Sequence, residues 1–123
     1  MSSVRSKRIC NESKGEKEIA KILESLRVPF LRQFRIPECR NSKPLAFDFD
    51  VWINQKLHLI EFNGDQHYRP IEHFGGKKAF KYLQHCDGIK KTFCKREGIP
   101  LLIIKFNNKN IEAAIWSFLG VKK

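Results

Sequence analysis

The chain has 123 residues, which is enough for one domain with a sizeable core but too few for two. Its 24 Lys and Arg outnumber its 13 Asp and Glu, so the formal net charge is +11 and the surface should attract polyanions, most often nucleic acid. The sequence shows neither a recognisable signal peptide nor an apolar stretch of membrane-spanning length. This argues against a secreted or membrane protein and favours an intracellular location, cytoplasmic or nuclear.

The chain begins with a basic arm that leads into a helix. Residues 1–11 are polar and basic, which predicts a flexible arm ahead of a single domain over residues 12–123. Ser13 and Glu16 have the spacing of a capping box, in which each side chain bonds to the backbone N–H of the other. Apolar residues then recur on one face and predict a helix to about Arg27. Glu16 could cap this helix and also add an acid to a functional site.

The next segments alternate between strand and loop signals. Residues 30–36 alternate apolar and polar side chains, which predicts a strand, and the proline-containing stretch 37–44 predicts a loop. Residues 45–53 and 57–62 then predict the two arms of a hairpin with its turn at residues 54–56.

The second half of the chain predicts two helices around one strand. Residues 64–76 predict a loop, 77–97 a helix, 101–106 a buried strand and 108–119 an amphipathic helix. Gly88 interrupts the long helix at a cost of about 1 kcal/mol relative to Ala, which a close approach of another backbone would explain. The order α-β-β-β-α-β-α predicts a mixed sheet flanked by helices, an α/β fold with α+β character.

Acids interrupt both predicted hairpin strands where core residues would be expected. Side-chain alternation places Asp48 and Asp50 on one strand face. The other face then holds Phe47, Phe49 and Val51. Asp48 is the better candidate to meet Glu61, because the hairpin brings the two to about the same level of the sheet. Buried carboxylates need a neutralising proton or cation, and a pair of them suits Mg²⁺ or Mn²⁺. The alternative is that these acids lie exposed on a solvated sheet face.

A polar loop follows the Glu61 strand and contains Gln66 and His67. Loops on a rigid support carry function, and a histidine here can exchange a proton with water or with a leaving oxygen. Asp87 and Lys90 lie one helical turn apart, so both can face one site, Lys90 toward a phosphate and Asp87 toward His67 or a metal-bound water. The alternatives are an ordinary surface histidine and an exposed Asp87–Lys90 ion pair.

The four cysteines lack the spacing of a zinc module. They stand at positions 10, 39, 86 and 94 without a CxxC pair, so buried thiols are the expected state. A structural zinc held by His85, Cys86 and Cys94 is the alternative, and it would indicate an adaptor protein.

Taken together, these residues resemble the PD-(D/E)xK nuclease superfamily. Within it, the chain is similar to the very-short-patch repair endonucleases and the EDxHD phage homing endonucleases, over roughly residues 13–106. The matching segments are Ser13-Lys14-Gly15-Glu16, Ala46-Phe47-Asp48-Phe49, Ile60-Glu61-Phe62-Asn63-Gly64-Asp65-Gln66-His67, Phe74-Gly75-Gly76, Asp87-Gly88-Ile89-Lys90 and Ile99-Pro100-Leu101-Leu102-Ile103-Ile104.

The resemblance implies a metal-dependent nuclease with a restriction-endonuclease-like αβββαβα core. It assigns Glu16 as the first acid and Asp48 as the metal-binding aspartate. It also assigns His67 as the histidine and Asp87 as the last acid. Glu61 matches the acid of the superfamily's E-x-K element.

Asn63 departs from the family pattern, because the superfamily usually keeps a lysine at this position. The role of that lysine then falls to Gln66, His67 or Lys90, or is absent. The chain also has no separate DNA-recognition domain, so specificity would come from a homodimer, a partner or a fused module. A phage or viral origin agrees with the resemblance.

We therefore predict a Mg²⁺- or Mn²⁺-dependent DNA endonuclease that hydrolyses phosphodiester bonds by metal-assisted attack of water. Asp48 and Glu61 would hold the metal, and His67 would assist proton transfer. The lysines expected to contact nucleic acid are Lys14, Lys77, Lys78, Lys90 and Lys91. The alternative is a non-catalytic nucleic-acid-binding module with a nuclease-like fold, and the choice between DNA and RNA stays open.

Overall fold

The structure is a computed structural model that describes residues 13–120. The helices and strands of this range are α1 Lys14–Leu26, β1 Phe30–Asn41, β2 Lys43–Ile53, β3 Lys56–Asn63, α2 Gly76–Glu97, β4 Leu101–Lys105 and α3 Ile111–Leu119, with short 3₁₀ helices at Asp65–His67 and Glu72–Phe74. The predicted basic arm, residues 1–11, lies outside the described residues. Among the described helices, none is long and apolar enough to cross a membrane.

The four strands form one mixed sheet in the order β1-β2-β3-β4. β1 and β2 pair antiparallel, as do β2 and β3, whereas β4 runs parallel to β3. α2 connects these two parallel strands, since parallel neighbours require a long crossover. The predicted order of elements and the mixed sheet flanked by helices are confirmed.

Helices cover both faces of the sheet, because both faces bury apolar side chains. Neighbouring residues of β3 belong to separate clusters: Ile60 packs with residues of α1 and α3, and Leu59 packs with residues of α2. Since successive side chains of a strand point to opposite faces, the two clusters lie on opposite sides. Within residues 13–120, the sheet is therefore the middle of three layers, with α1 and α3 on one side and α2 on the other.

The prediction of a loop over residues 37–44 is wrong, because the β1–β2 hairpin continues through this stretch to a turn at Ser42. Ser42 has a φ of 56°, which reverses the chain at one residue. The hairpin register shifts between Ile36 and Arg40, and Pro37 lies in that irregular stretch. Because β1 is an edge strand, the missing N–H of a proline is tolerated there.

The helix boundaries depend on side-chain caps. Ser13 Oγ accepts a hydrogen bond from the Glu16 N–H at 3.2 Å, and Glu16 Oε1 accepts one from the Ser13 N–H at 3.0 Å, so the predicted capping box is confirmed. α3 begins later than predicted because Asn110 is its N-cap, with Oδ1 accepting from the Ala113 N–H at 3.1 Å.

Gly88 has no packing role in the observed fold. It is exposed on α2, and a Cβ built on it meets no atom of residues 13–120 within 4 Å. The predicted close approach of another backbone is therefore wrong. Glycine inside a helix lowers the stability of the fold by about 1 kcal/mol relative to alanine. At position 88 no packing contact of the described residues offsets this loss.

Candidate active site

The pairing of β2 with β3 extends to Phe49 and Ile60, and two carboxylates occupy the segment beyond this pair. Asp48 Oδ2 accepts a hydrogen bond from the backbone N–H of Phe62 at 2.7 Å. Glu61 Oε2 accepts one from the backbone N–H of Asp48 at 2.8 Å. Each carboxylate therefore bonds to the backbone of the opposite strand, and these charge-assisted bonds fix both side chains.

The alternation of side chains in β2 breaks at Asp48. Phe49 and Val51 pack against α1 and α3, whereas Phe47 belongs to the cluster on the α2 side. The prediction that these three share one face is therefore wrong for Phe47. Opposite Asp48, Gln33 of β1 has a φ of 55°, and its Nε2 donates to Asp48 Oδ1 at 3.0 Å. This irregular backbone allows the Asp48 carboxylate to face β3.

Asp50, the other acid of β2, lies away from this pair. It faces Leu59 across the ladder and is only 1% exposed. Its Oδ1 has no hydrogen-bond partner within the part of the chain that the structure describes. Burial raises the pKa of Asp50 to about 6. The structure thus brings Asp48, and not Asp50, to Glu61.

Lys90 of α2 reaches Glu61 from the helix side. Its Nζ lies 3.0 Å from Glu61 Oε1 and 5.0 Å from the centre of the Phe47 ring. Burial and the neighbouring Asp48 carboxylate raise the pKa of Glu61, and Lys90 opposes this shift. Of the residues considered for the role of the missing lysine, Lys90 is the one that contacts Glu61 directly.

α2 also holds His67, through Asp87. His67 Nδ1 and Asp87 Oδ2 lie 2.8 Å apart, and both side chains are mostly buried. With the carboxylate ionised, Nδ1 carries the proton and Nε2 can accept one. Asp87 lies one helical turn before Lys90, so one turn of α2 positions both the His67–Asp87 pair and the Glu61–Lys90 pair.

The turn after β3 contains Gln66, and the N-terminus of α1 contains Glu16. Gln66 folds back over Gly64, where an added Cβ would lie 2.5 Å from Gln66 Oε1. Glu16 caps α1, and Gly15 beside it packs directly on Phe62, since a Cβ on Gly15 would come within 2.3 Å of that ring. Phe62 is the residue whose N–H binds Asp48, so α1 supports the site through it.

The lysines predicted to contact nucleic acid fall into two groups. Lys14, Lys77, Lys78 and Lys91 are exposed and accessible to a polyanion. The Lys90 side chain is only 15% exposed and pairs with Glu61. Lys90 therefore lies inside the candidate active site and not on an outer contact surface.

Asp48 and Glu61 fit a hard divalent ion that is bound through one or two carboxylates and retains several waters. The buried side-chain oxygen of Asn63, near Glu61, agrees with such a hydrated site, because a bound water could donate a hydrogen bond to it. Asn63 is 4% exposed, and its Oδ1 has no hydrogen-bond partner among residues 13–120. Strand alternation places it on the same face as Glu61. No three His, Cys, Asp or Glu side chains of the described range form a metal-holding group, so waters or substrate oxygens would complete the coordination.

The alternative zinc site is not formed within the described residues. His85, Cys86 and Cys94 do not come together as a metal-holding group there. Cys39, Cys86 and Cys94 are buried free thiols, as the spacing predicts. Burial raises the pKa of the Cys94 thiol to about 11, which keeps it protonated at neutral pH.

Two viral proteins are similar to part of the chain. It is 35% identical over 66 residues to uncharacterized protein 307L of Invertebrate iridescent virus 6, across 52% of the chain and 34% of that protein. It is 29% identical over 69 residues to uncharacterized protein 094L of Frog virus 3 (isolate Goorha), across 54% of the chain and 44% of that protein. The chain thus spans less than half the length of either relative. No protein-family model and no solved structure matches it.

The buried carboxylate of Asp50 predicts a pH-dependent stability. Its pKa is about 6 in the folded protein and about 4 in the unfolded chain, so the folded state binds more protons between these values. The free energy of unfolding should therefore fall as pH rises from about 4 to about 6. An amide stays neutral, so Asp50→Asn should be more stable than wild type above pH 6, by up to about 3 kcal/mol.

Urea unfolding in EDTA, followed by circular dichroism at pH 4.5 and pH 7.5, measures this difference. Asp50→Asn should raise the free energy of unfolding strongly at pH 7.5 and only slightly at pH 4.5. An equal gain at both pH values would contradict the assignment of a buried, titrating carboxyl.

Proposed function

We propose that the protein is a Mg²⁺- or Mn²⁺-dependent DNA endonuclease with a restriction-endonuclease-like core of the PD-(D/E)xK kind. The observation that carries this proposal is the pair of carboxylates, Asp48 and Glu61, each bonded to the other strand's backbone. Carboxylates held so close repel each other, and a divalent cation between them relieves that repulsion. The net charge of +11 suits a polyanionic substrate.

Each side chain of the site has a distinct role in the proposed reaction. Asp48 and Glu61 hold the ion, which when bound polarises the phosphodiester and lowers the pKa of a water. His67 Nε2 accepts the proton of the attacking water as its oxygen bonds to phosphorus, while Asp87 keeps the imidazole oriented. The P–O bond to the leaving oxygen breaks, and that oxygen takes a proton from solvent water. Lys90 stabilises the negative charge that builds on the phosphate oxygens. Specificity would come from a second copy, a partner or a fused module.

The Lys90–Glu61 ion pair also favours a second candidate, a non-catalytic nucleic-acid-binding module. Lys90 already supplies one cation to Glu61, so the fold does not depend on a metal to neutralise this carboxylate. That candidate predicts salt-sensitive binding to DNA or RNA without metal-dependent turnover.

Removing either metal-binding carboxylate should abolish cleavage. Asp48→Asn and Glu61→Gln keep the shape of each side chain but remove its charge, so the nicking of supercoiled plasmid in Mg²⁺ should fall by roughly a hundredfold or more. Gel analysis of nicked product over time, with and without EDTA, measures the rate. Circular dichroism checks that each variant is folded.

Glu18→Gln is the matched control, because Glu18 is an exposed acid on α1. It should cleave like wild type. Unchanged nicking by either carboxylate variant would sink the assignment, and binding without any metal-dependent nicking by wild type would establish the second candidate.

His67 and Asp87 should act as one unit. His67→Ala should slow cleavage by about 10² to 10⁴, the usual contribution of a general base. Asp87→Asn alone should slow it about tenfold or more through loss of the imidazole's orientation. Added to His67→Ala, however, Asp87→Asn should have little further effect, because its action passes through the histidine.

Single-turnover rates of the two single variants and the double variant measure this coupling. If the rate reduction in the double variant equals the product of the two single-variant reductions, Asp87 and His67 act independently, contrary to the proposal.

A further inference from the structure

A groove of about 540 Å³ lies between α2 and the irregular stretch of β1. On the helix side it extends from Gln84 to Arg96, a distance of about 18 Å at the rise of an α-helix. On the strand side it is formed by residues 38–40. Asp87 and Lys90 belong to the same turns of α2, but at about 100° per residue they project from a different side of the helix than Gly88 and Thr92, so the groove and the candidate active site lie on different sides of α2.

Gly88 lies on the helix side of this groove. Packing within the described part of the chain does not require glycine at this position, because an added Cβ would meet no atom there within 4 Å. A side chain at position 88 would instead project toward the space of the groove. The glycine therefore weakens the helix but leaves its backbone bare where the groove passes.

The groove combines an apolar base with a cationic rim. Ile89 is partly buried and supplies apolar surface, whereas Phe93 is only 5% exposed and has the Arg96 guanidinium 5.7 Å from its ring centre. The exposed guanidinium groups of Arg40 and Arg96 stand at the rim with the acid Glu38, and Arg96 also pairs with Glu97 at 3.4 Å. Carbonyl oxygens of neighbouring residues accept hydrogen bonds from the Arg40 guanidinium, which limits its motion.

This combination matches the chemistry of a nucleotide. A base has an apolar face that packs on aliphatic and aromatic side chains, and a phosphate is a preferred partner of arginine. The volume of the groove lies in the range of sites for small ligands, about 300–1,000 Å³, so it can take a nucleotide but not a double helix.

We propose that this groove binds an unpaired nucleotide of single-stranded DNA, its base against Ile89 and its phosphate between Arg40 and Arg96. The substrate of the proposed nuclease then carries a single-stranded segment in addition to the bond that is cleaved. This inference rests on the proposed function for the identity of the substrate, but the binding step can be measured without cleavage.

Filling the groove tests the proposal. Gly88→Leu places a bulky side chain where the nucleotide would lie, and because leucine favours helix, the variant should fold. Gly88→Ala is the matched control, since it strengthens the helix equally without occupying the groove. Fluorescence anisotropy of a labelled single-stranded oligonucleotide and of a blunt DNA duplex without a loop, in EDTA and at fixed salt, measures binding to both.

Gly88→Leu should weaken binding of the single strand by about tenfold and leave binding of the blunt duplex within about twofold of wild type. Gly88→Ala should bind both like wild type. Equal loss of both ligands, or no loss with Gly88→Leu, would overturn the proposal. Displacement of the single strand by polyglutamate as effectively as by unlabelled oligonucleotide would overturn it too, in favour of an acidic-peptide site. If the expected binding pattern holds but plasmid nicking in Mg²⁺ is absent, the groove assignment stands and the nuclease proposal fails.

Discussion

The candidate site depends on two carboxylates, those of Asp48 and Glu61. They lie between β2 and β3, just beyond the last paired residues of these two strands. Asp48 and Glu61 each take a backbone hydrogen bond from the opposite strand, which holds them together despite their mutual repulsion. That repulsion, together with burial, raises the pKa of Glu61. A buried acid pair of this kind is stable only near a positive charge. Lys90 supplies one such charge, and a divalent ion would supply a stronger one.

A single helix ties the remaining groups to this pair. Lys90 and Asp87 project from one turn of α2, and they hold Glu61 on β3 and His67 in the turn that follows β3. On the other side of the sheet, Gly15 allows α1 to press against Phe62, whose N–H binds Asp48. The site is thus supported by both helix layers, so its geometry depends on packing throughout the domain.

The sequence predicts those features that are set by local chemistry. The capping box at Ser13 follows from spacing, and apolar periodicity gives the helices and strands in their order along the chain. The β1–β2 hairpin beyond Ile36 could not be predicted, because prolines and polar residues are typical of loops although an edge strand also tolerates them. The sheet face on which Phe47 lies could not be predicted either. Side-chain alternation presumes regular strands, and the positive φ of Gln33 interrupts the regular pairing of β1 with β2. Helical spacing placed Asp87 and Lys90 on one side of a helix, but only the packing of α2 on the sheet determines that Lys90 meets Glu61.

The central claim is that Asp48 and Glu61 form a binding site for a divalent cation. Titration of Mn²⁺ followed by electron paramagnetic resonance, without nucleic acid, tests it most directly, because free and bound Mn²⁺ give distinct signals. Wild type and the surface variant Glu18→Gln should each bind one ion, and Glu61→Gln should bind it at least about tenfold more weakly. Equal Mn²⁺ binding by wild type and Glu61→Gln, or no binding by wild type at all, would contradict this account.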